Sequence, residues 1–130
     1  MSRTPRRSVD ADGSEVWWLD NKLHREDGPA VIDADGNQGW YYENVLHRDD
    51  GPAWIGVTGA RSWFRHGRRH RGDGPAIIPP RQPPEWWING RNLTEEINAW
   101  MAARGVSLPF DEETQAEFIL TFWECYQVNA

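Results

Sequence analysis

The chain has 130 residues, which is enough for one domain or for a repeat array with one appended piece. Its formal net charge of −6 disfavours general binding to nucleic acid, which needs a basic surface. No run of about 20 apolar residues could span a membrane, and no apolar stretch follows the basic start as it would in a secretory signal. The single cysteine, Cys125, excludes an internal disulfide, so the composition predicts a cytoplasmic protein.

Residues 1–14 are the first predicted segment. They are rich in arginine and lack a clear periodic pattern, so we expect a mobile basic arm. The next segment, residues 15–92, has a period of 23 residues. The phrase His-Arg-x-Asp-Gly-Pro-Ala begins at His24, His47 and His70, and tryptophans keep the same interval at Trp17, Trp40, Trp63 and Trp86. A constant period without insertions indicates stacked copies of one structural unit.

Each copy reads as two strands and two turns. In the middle copy, Trp40–Glu43 is aromatic and favours a strand, and Asn44 turns the chain. Val45–His47 runs back, and Asp50–Pro52 reverses the chain again because Asp, Gly and Pro each favour turns. Asp-Gly and Thr-Gly pairs then predict hairpin turns into the next copy. The pattern therefore predicts an antiparallel meander of short hairpins.

Alternation along these strands assigns side chains to two faces of the sheet. Both faces carry aromatic residues, so either helices cover both sides or one aromatic face is free for a partner. One face is predicted to hold Trp18, Tyr41, Phe64 and Trp87, and the other to hold Trp17, Leu19, Trp40, Tyr42, Trp63, Trp86 and Ile88.

Residues 93–130 change to a helical period and are predicted to form two helices that cap the sheet. Thr94 is expected to be the N-cap of the first helix, and Gly105 to end it. Asp111 starts the second helix, which is expected to reach about Val128. Its wide apolar stripe, which includes Trp123, is expected to be buried against the sheet. The predicted fold class is therefore α+β.

The repeated phrase resembles a repeat of small proteins from phages, prophages and large DNA viruses, which is similar to the MORN repeat. There the unit reads Trp-Tyr-x-Asn-Gly-Lys-Leu-His-Arg-Glu-Asp-Gly-Pro-Ala, and arrays end in an Ile-Asn-Gly segment before a helix, as at Ile88–Glu96. The resemblance covers about Glu15–Glu96 and departs at Val45, at Arg69 and in the proline loop Pro79–Pro84. It implies three to four MORN-like β-hairpin repeats and a phage or prophage origin, and it implies no enzymatic activity.

A protein interface is the leading prediction for the site. Stacked repeats make extended surfaces, and Trp, Tyr and Arg dominate interface energies. The predicted partner-binding residues are Trp18, Tyr41, Phe64, Trp87, Arg65, Arg68 and Arg69. We expect the partner to be a host protein or defence complex, such as CRISPR-Cas, towards which an acidic surface would imitate nucleic acid. Two copies of the chain could also pair as a homodimer.

The alternative prediction is a pocket that sequesters a small nucleotide or signalling nucleotide, because arginine forks bind phosphate well. Its residues would be His24, Arg25, His47, Arg48, His70 and Arg71. A third class, a component of the virion or its scaffold, is also open.

Metal binding and catalysis have little support in the sequence. Equivalent histidines two strands apart are separated by roughly 9–10 Å, whereas the ligands of one zinc ion lie within about 2.3 Å of the metal. No serine lies in a nucleophile motif, no glycine-rich phosphate loop occurs, and Cys125 lies on an apolar helix face. We therefore predict no cofactor, no metal site and no catalytic residue.

Overall fold

The computed structural model describes residues 4–127, and it is an α+β structure in which short antiparallel strands precede three helices. The strands are β1 (Arg6–Val9), β2 (Glu15–Leu19), β3 (Lys22–Leu23), β4 (Val31–Ile32), β5 (Gln38–Gly39), β6 (Tyr41–Tyr42), β7 (Val45–Leu46), β8 (Trp54–Ile55), β9 (Arg61–Ser62), β10 (Phe64–Arg65), β11 (Arg68–Arg69), β12 (Ile77–Ile78), β13 (Trp87–Ile88) and β14 (Arg91–Asn92). The helices are α1 (Thr94–Arg104), α2 (Glu112–Thr121) and α3 (Trp123–Tyr126). Within residues 4–127, no helix has the length and apolar character needed to cross a membrane.

The strands form one large sheet and a row of small hairpins. The large sheet has the order β1-β2-β4-β5-β8-β9-β12, and β3 pairs with β2. Four hairpins lie side by side, and we number them in chain order. Hairpin 1 is β2–β3, hairpin 2 is β6–β7, hairpin 3 is β10–β11 and hairpin 4 is β13–β14. One of the contacts between neighbouring hairpins is a recurring backbone hydrogen bond, in which the N–H of Arg25, Arg48 and Arg71 donates to the carbonyl of Tyr41, Phe64 and Trp87 respectively.

All four hairpins turn through two residues with positive φ. The pairs are Asp20-Asn21, Glu43-Asn44, His66-Gly67 and Asn89-Gly90, with φ between 46° and 81°. Two successive positive values define the type I′ turn, whose twist matches that of the flanking strands. The turns expected from the sequence at Asn44 and its equivalents are thus present.

The segment predicted as a mobile arm contains a strand. β1 pairs antiparallel with β2, and the Arg7 side chain makes an ion pair with Glu15. The loop that joins β1 to β2 repeats the sequence Asp-Ala-Asp-Gly of the loop between β4 and β5, at the same interval of 23 residues. β1 therefore pairs with β2 as β4 pairs with β5, one interval of 23 residues earlier in the chain. Met1–Arg3, which also belong to the predicted arm, lie outside the described residues.

The helices pack on hairpin 4 and form the main apolar core with it. Its buried members are Trp86, Ile88, Leu93, Ile97 and Phe118. The rings of Trp100, Phe110, Phe122 and Tyr126 surround Phe118 at centroid distances of 5.0 to 6.4 Å. We call α1, α2 and α3 the helical cap.

Three details of the cap differ from the sequence prediction. Thr94 is not the N-cap of α1: the N-cap is Leu93, and the Thr94 hydroxyl accepts a hydrogen bond from the Trp86 N–H at 3.0 Å. The second helix is interrupted at Phe122, so that α2 and α3 are separate. Trp123 is 52% exposed rather than buried. Gly105 at φ 64° and the Asp111 side-chain cap agree with the prediction, and Val128 lies outside the described residues.

Candidate binding surfaces

The arginine of each repeated phrase is bound to its own turn. Arg48 lies over the Trp40 ring at 4.0 Å, and its Nε donates to Asp50 at 2.9 Å. Its Nη1 donates to the Pro52 carbonyl at 3.0 Å, and the side chain crosses Gly51 so closely that a Cβ there would lie 2.9 Å from Cζ. These contacts use two of the three guanidinium nitrogens. The same contacts recur around Arg25 and Arg71.

The histidine of each phrase joins one hairpin to the next. Nδ1 of His47 accepts the N–H of His66 at 2.9 Å, and the equivalent distances are 3.2 Å at His24 and 3.0 Å at His70. Because Nδ1 is the acceptor, the neutral ring carries its proton on Nε2. Nε2 of His47 lies 3.2 Å from Asp49, and His66 stacks on the His47 ring at 4.2 Å.

The third phrase departs from the others where it meets the helical cap. Gly72 stands where the first two copies carry Glu26 and Asp49. Its carbonyl accepts hydrogen bonds from Gln115 and from the Tyr126 hydroxyl, both at 2.9 Å. A Cβ at this position would lie 3.1 Å from the Tyr126 ring. The absence of a side chain at Gly72 therefore allows the helical cap to pack against the sheet.

An open groove of about 920 Å³ runs between the second and third phrases and the cap. Arg65, His70, Arg71 and Tyr126 line it, so part of the predicted nucleotide site faces a concave surface. Burial and the nearby Arg65 charge lower the pKa of His70, and burial raises the pKa of Tyr126. Carboxylates of Asp49, Asp50 and Asp73 line the same groove and oppose an anionic ligand there.

The four predicted aromatic residues lie on one face of the hairpin row, which we call the aromatic face: Trp18, Tyr41, Phe64 and Trp87. Trp18 is 39% exposed and the other three are half-buried. Residues directly opposite each other on paired strands share a face, so Leu23, Leu46 and Arg69 extend this surface. Ile88 points into the helical core. Its neighbour Trp87 therefore points away from the cap.

A second row on the large sheet continues the aromatic face. The strand register places Val31, Gly39, Trp54, Ser62 and Ile77 opposite one another across β4, β5, β8, β9 and β12. A Cβ on Gly39 would lie 2.8 Å from the Tyr41 ring and 3.3 Å from the Trp54 ring, so the missing side chain lets both rings approach the backbone of β5. The two rows together contain mostly apolar side chains, and most of these are half-buried.

The three predicted partner-binding arginines are divided between the two faces. Arg69 is opposite Phe64 and its guanidinium lies 4.8 Å from the centre of the Trp87 ring, so it belongs to the aromatic face. Arg65 and Arg68 are opposite each other on the other face of hairpin 3. The seven residues predicted from the sequence therefore do not form one patch.

Side chains that could bind a metal do not converge within residues 4–127: no group of three His, Cys, Asp or Glu is close enough to hold an ion. Cys125 Sγ lies 3.5 Å from Nη1 of Arg91. No family model, no curated protein and no solved structure matches the chain.

Proposed function

We propose that the chain is a non-enzymatic binding protein, built of three to four MORN-like hairpin repeats, that contacts a partner protein through its aromatic face. The observation that carries this proposal is the position of Trp18, Tyr41, Phe64 and Trp87 on the side away from the helical cap. A contiguous apolar patch on a protein surface is typical of an interaction site. Trp and Tyr at its centre supply most of the binding energy in known interfaces.

The repeated phrase supports a scaffold role for the rest of the array. Its arginines hold their own turns and its histidines hold the next hairpin. These side chains are therefore occupied in positioning the hairpins, and the residues that vary between copies are left to determine the partner. This use of repeated and variable positions is typical of repeat proteins that bind other proteins.

We further propose that the partner is a host protein in the cytoplasm, with a defence complex such as CRISPR-Cas as the expected target. The support is the resemblance of the phrase to phage and prophage arrays, together with the net charge of −6. An acidic surface can imitate nucleic acid towards a complex that binds it.

The test is capture of host proteins by the tagged chain, followed by titration of the purified partner. Trp18→Ala should weaken binding at least about tenfold, because a hot-spot tryptophan contributes about 2 kcal/mol or more. Trp123→Ala is the matched control, since Trp123 is exposed on the helical cap. The proposal fails if no host protein is retained, or if Trp18→Ala binds as tightly as the wild type.

The nucleotide alternative has weaker support, because Arg25, Arg48 and Arg71 already bind their own turns. Mass spectrometry of small molecules released from the purified protein separates the two functions. Only the nucleotide pocket predicts a stoichiometric nucleotide, and Arg71→Ala should abolish its retention.

A further inference from the structure

Hairpin 3 carries two like charges where the other hairpins do not. Arg65 on β10 stands directly opposite Arg68 on β11. The equivalent pairs are Leu19 with Lys22, Tyr42 with Val45, and Ile88 with Arg91. Like charges directly opposite each other on a sheet destabilise it. A pair of residues that lowers the stability of a hairpin without a structural benefit is typical of a functional position.

A third arginine continues this charge onto hairpin 4. The side chain of Arg68 lies beside the turn of that hairpin, because a Cβ on Gly90 would be 3.8 to 3.9 Å from its Cβ, Cγ and Cδ atoms. Arg91 follows Gly90 directly and is opposite Ile88 on the same face as Arg65 and Arg68. We call Arg65, Arg68 and Arg91 the arginine cluster.

The cluster forms no ion pair with the carboxylates that the structure describes. Among residues 4–127, no carboxylate oxygen lies within 4.0 Å of its guanidinium nitrogens, whereas Arg7, Arg25, Arg48, Arg71 and Arg104 each have such a partner. All three side chains are exposed. The uncompensated charge also acts on the protein itself, since Arg65 contributes to the lowered pKa of His70.

The surroundings of the cluster favour a short acidic peptide over a long polyanion. Tyr42 and Val45 are 39% and 42% exposed on the same face of hairpin 2, so apolar contacts are offered beside the charges. On the groove side, Asp49, Asp50 and Asp73 would repel any anion that extends beyond the cluster, so a ligand with few charges is favoured over a continuous phosphate backbone. Arginine forks bind carboxylates in a bidentate manner.

We propose that the arginine cluster is a docking site for an acidic segment of a partner protein in which carboxylates alternate with apolar residues. The carboxylates pair with Arg65, Arg68 and Arg91, and the apolar side chains pack on Tyr42 and Val45. The site is on the face opposite to the aromatic face, so the chain can engage two protein surfaces at once. It does not depend on the aromatic face being functional.

The test uses the full chain and a short fluorescent peptide that alternates glutamate with leucine. The double variant Arg65→Tyr with Arg68→Val copies the cross-strand pair of hairpin 2 and removes two charges. We expect at least about a tenfold loss of peptide affinity, because hydrogen bonds between charged groups are lost. The melting temperature should be unchanged or higher, because the repulsion is removed. A loss of peptide affinity without a fall in melting temperature would show that Arg65 and Arg68 act in binding and not in folding.

Arg81→Leu is the charge control, since Arg81 is exposed in the proline loop and has no ion pair among the described residues. It should bind the peptide as the wild type does, and so should Trp18→Ala, which tests the aromatic face separately. An oligodeoxythymidine of equal charge should bind more weakly than the peptide. The proposal is overturned if the peptide does not bind, if the double variant retains full affinity, or if the oligonucleotide binds more tightly.

Discussion

At the scale of single residues, the contacts of the arginine explain which residues surround it in the repeated phrase. Arg48 stacks on Trp40, donates to Asp50 and reaches the Pro52 carbonyl. That path crosses Gly51, where no side chain fits. The glycine is therefore required by a close approach of the arginine, because its φ does not lie in the left-handed region.

Gly51→Ala should lower the free energy of unfolding by about 1–3 kcal/mol, because the added methyl group displaces the Arg48 guanidinium. In an Arg48→Ala background the same substitution should cost less than about 0.5 kcal/mol, since the clash is gone. Urea denaturation of the four proteins of this double-mutant cycle gives the coupling energy. Gly56→Ala is the control, because its new Cβ would meet nothing closer than 3.4 Å. Equal costs in both backgrounds would contradict the explanation.

His70 provides a pH dependence with a defined sign. Burial and Arg65 hold its pKa below the ordinary value of 6.5. The unfolded chain therefore binds the proton more readily, and stability falls as the pH drops below 6.5 towards the folded pKa. Protonation also places a hydrogen atom on Nδ1, which accepts a hydrogen bond from the Asn89 N–H in the neutral ring, so this hydrogen bond is lost.

His70→Asn should keep the hydrogen-bond acceptor and remove the titration, because its side-chain oxygen can replace Nδ1. We expect the wild type to lose more stability than this variant between about pH 7.5 and pH 5.5, the range in which histidine titrates. Urea unfolding at both pH values measures the difference. His24 and His47 are present in both proteins, so their contributions to stability cancel when the two proteins are compared. Parallel stability curves for the two proteins would contradict the role assigned to His70.

At the scale of elements, the helical cap is accommodated by a departure from the repeat. Restoring the repeat with Gly72→Asp should destabilise the protein, because the new Cβ meets the Tyr126 ring at 3.1 Å. We expect a cost of about 1–3 kcal/mol, as for other overpacked sites. Hydrogen exchange should increase in α3, where Tyr126 lies.

The reverse change in the second copy, Asp49→Gly, is the matched control for this prediction. Asp49 is exposed, so the expected cost is the chain entropy of a glycine, about 0.5–1 kcal/mol, with a small addition for the lost contact to His47 Nε2. Thermal unfolding and hydrogen exchange of both variants decide the comparison. If Gly72→Asp is as stable as the wild type, the cap does not depend on the missing side chain.

The elements also mark the limits of prediction from the sequence. The hairpin turns, the end of α1 at Gly105 and the start of α2 at Asp111 were predictable because local turn and cap residues determine them. The interruption at Phe122 has no local signal, since the apolar pattern continues through it. Thr94 was misassigned because its hydroxyl takes part in a tertiary hydrogen bond to Trp86.

The remaining differences could have been read from the sequence. β1 is not predicted although Val9–Ser14 matches Ile32–Asn37 at the 23-residue interval, because residues 1–14 contain neither the repeated tryptophan nor the phrase. The division of the arginines between two faces follows from the register of a two-residue hairpin, in which Arg65 pairs with Arg68 and Phe64 with Arg69. Alternation predicted the shared face of Trp18, Tyr41, Phe64 and Trp87. It could not predict which face the helical cap would cover, because that depends on packing.

At the scale of the whole molecule, the array should tolerate the loss of one copy but not the loss of its cap. Deletion of residues 41–63 joins Trp40 to Phe64 and preserves the register of every recurring hydrogen bond, with the Arg25 N–H donating to Phe64 in place of Tyr41. We expect this protein to unfold in one cooperative step at a lower urea concentration, because one interface between neighbouring copies is lost.

Truncation after Leu93 is the informative comparison. It removes no repeated contact, but it exposes Trp86, Ile88 and Leu93, which are buried only because the helical cap covers hairpin 4. That apolar surface should make the truncated chain aggregate or lose cooperative unfolding, as measured by light scattering and urea denaturation. A truncated chain that folds alone, beside a deletion protein that does not, would mean that the copies are not equivalent and that the array is stabilised by features other than its repeated contacts.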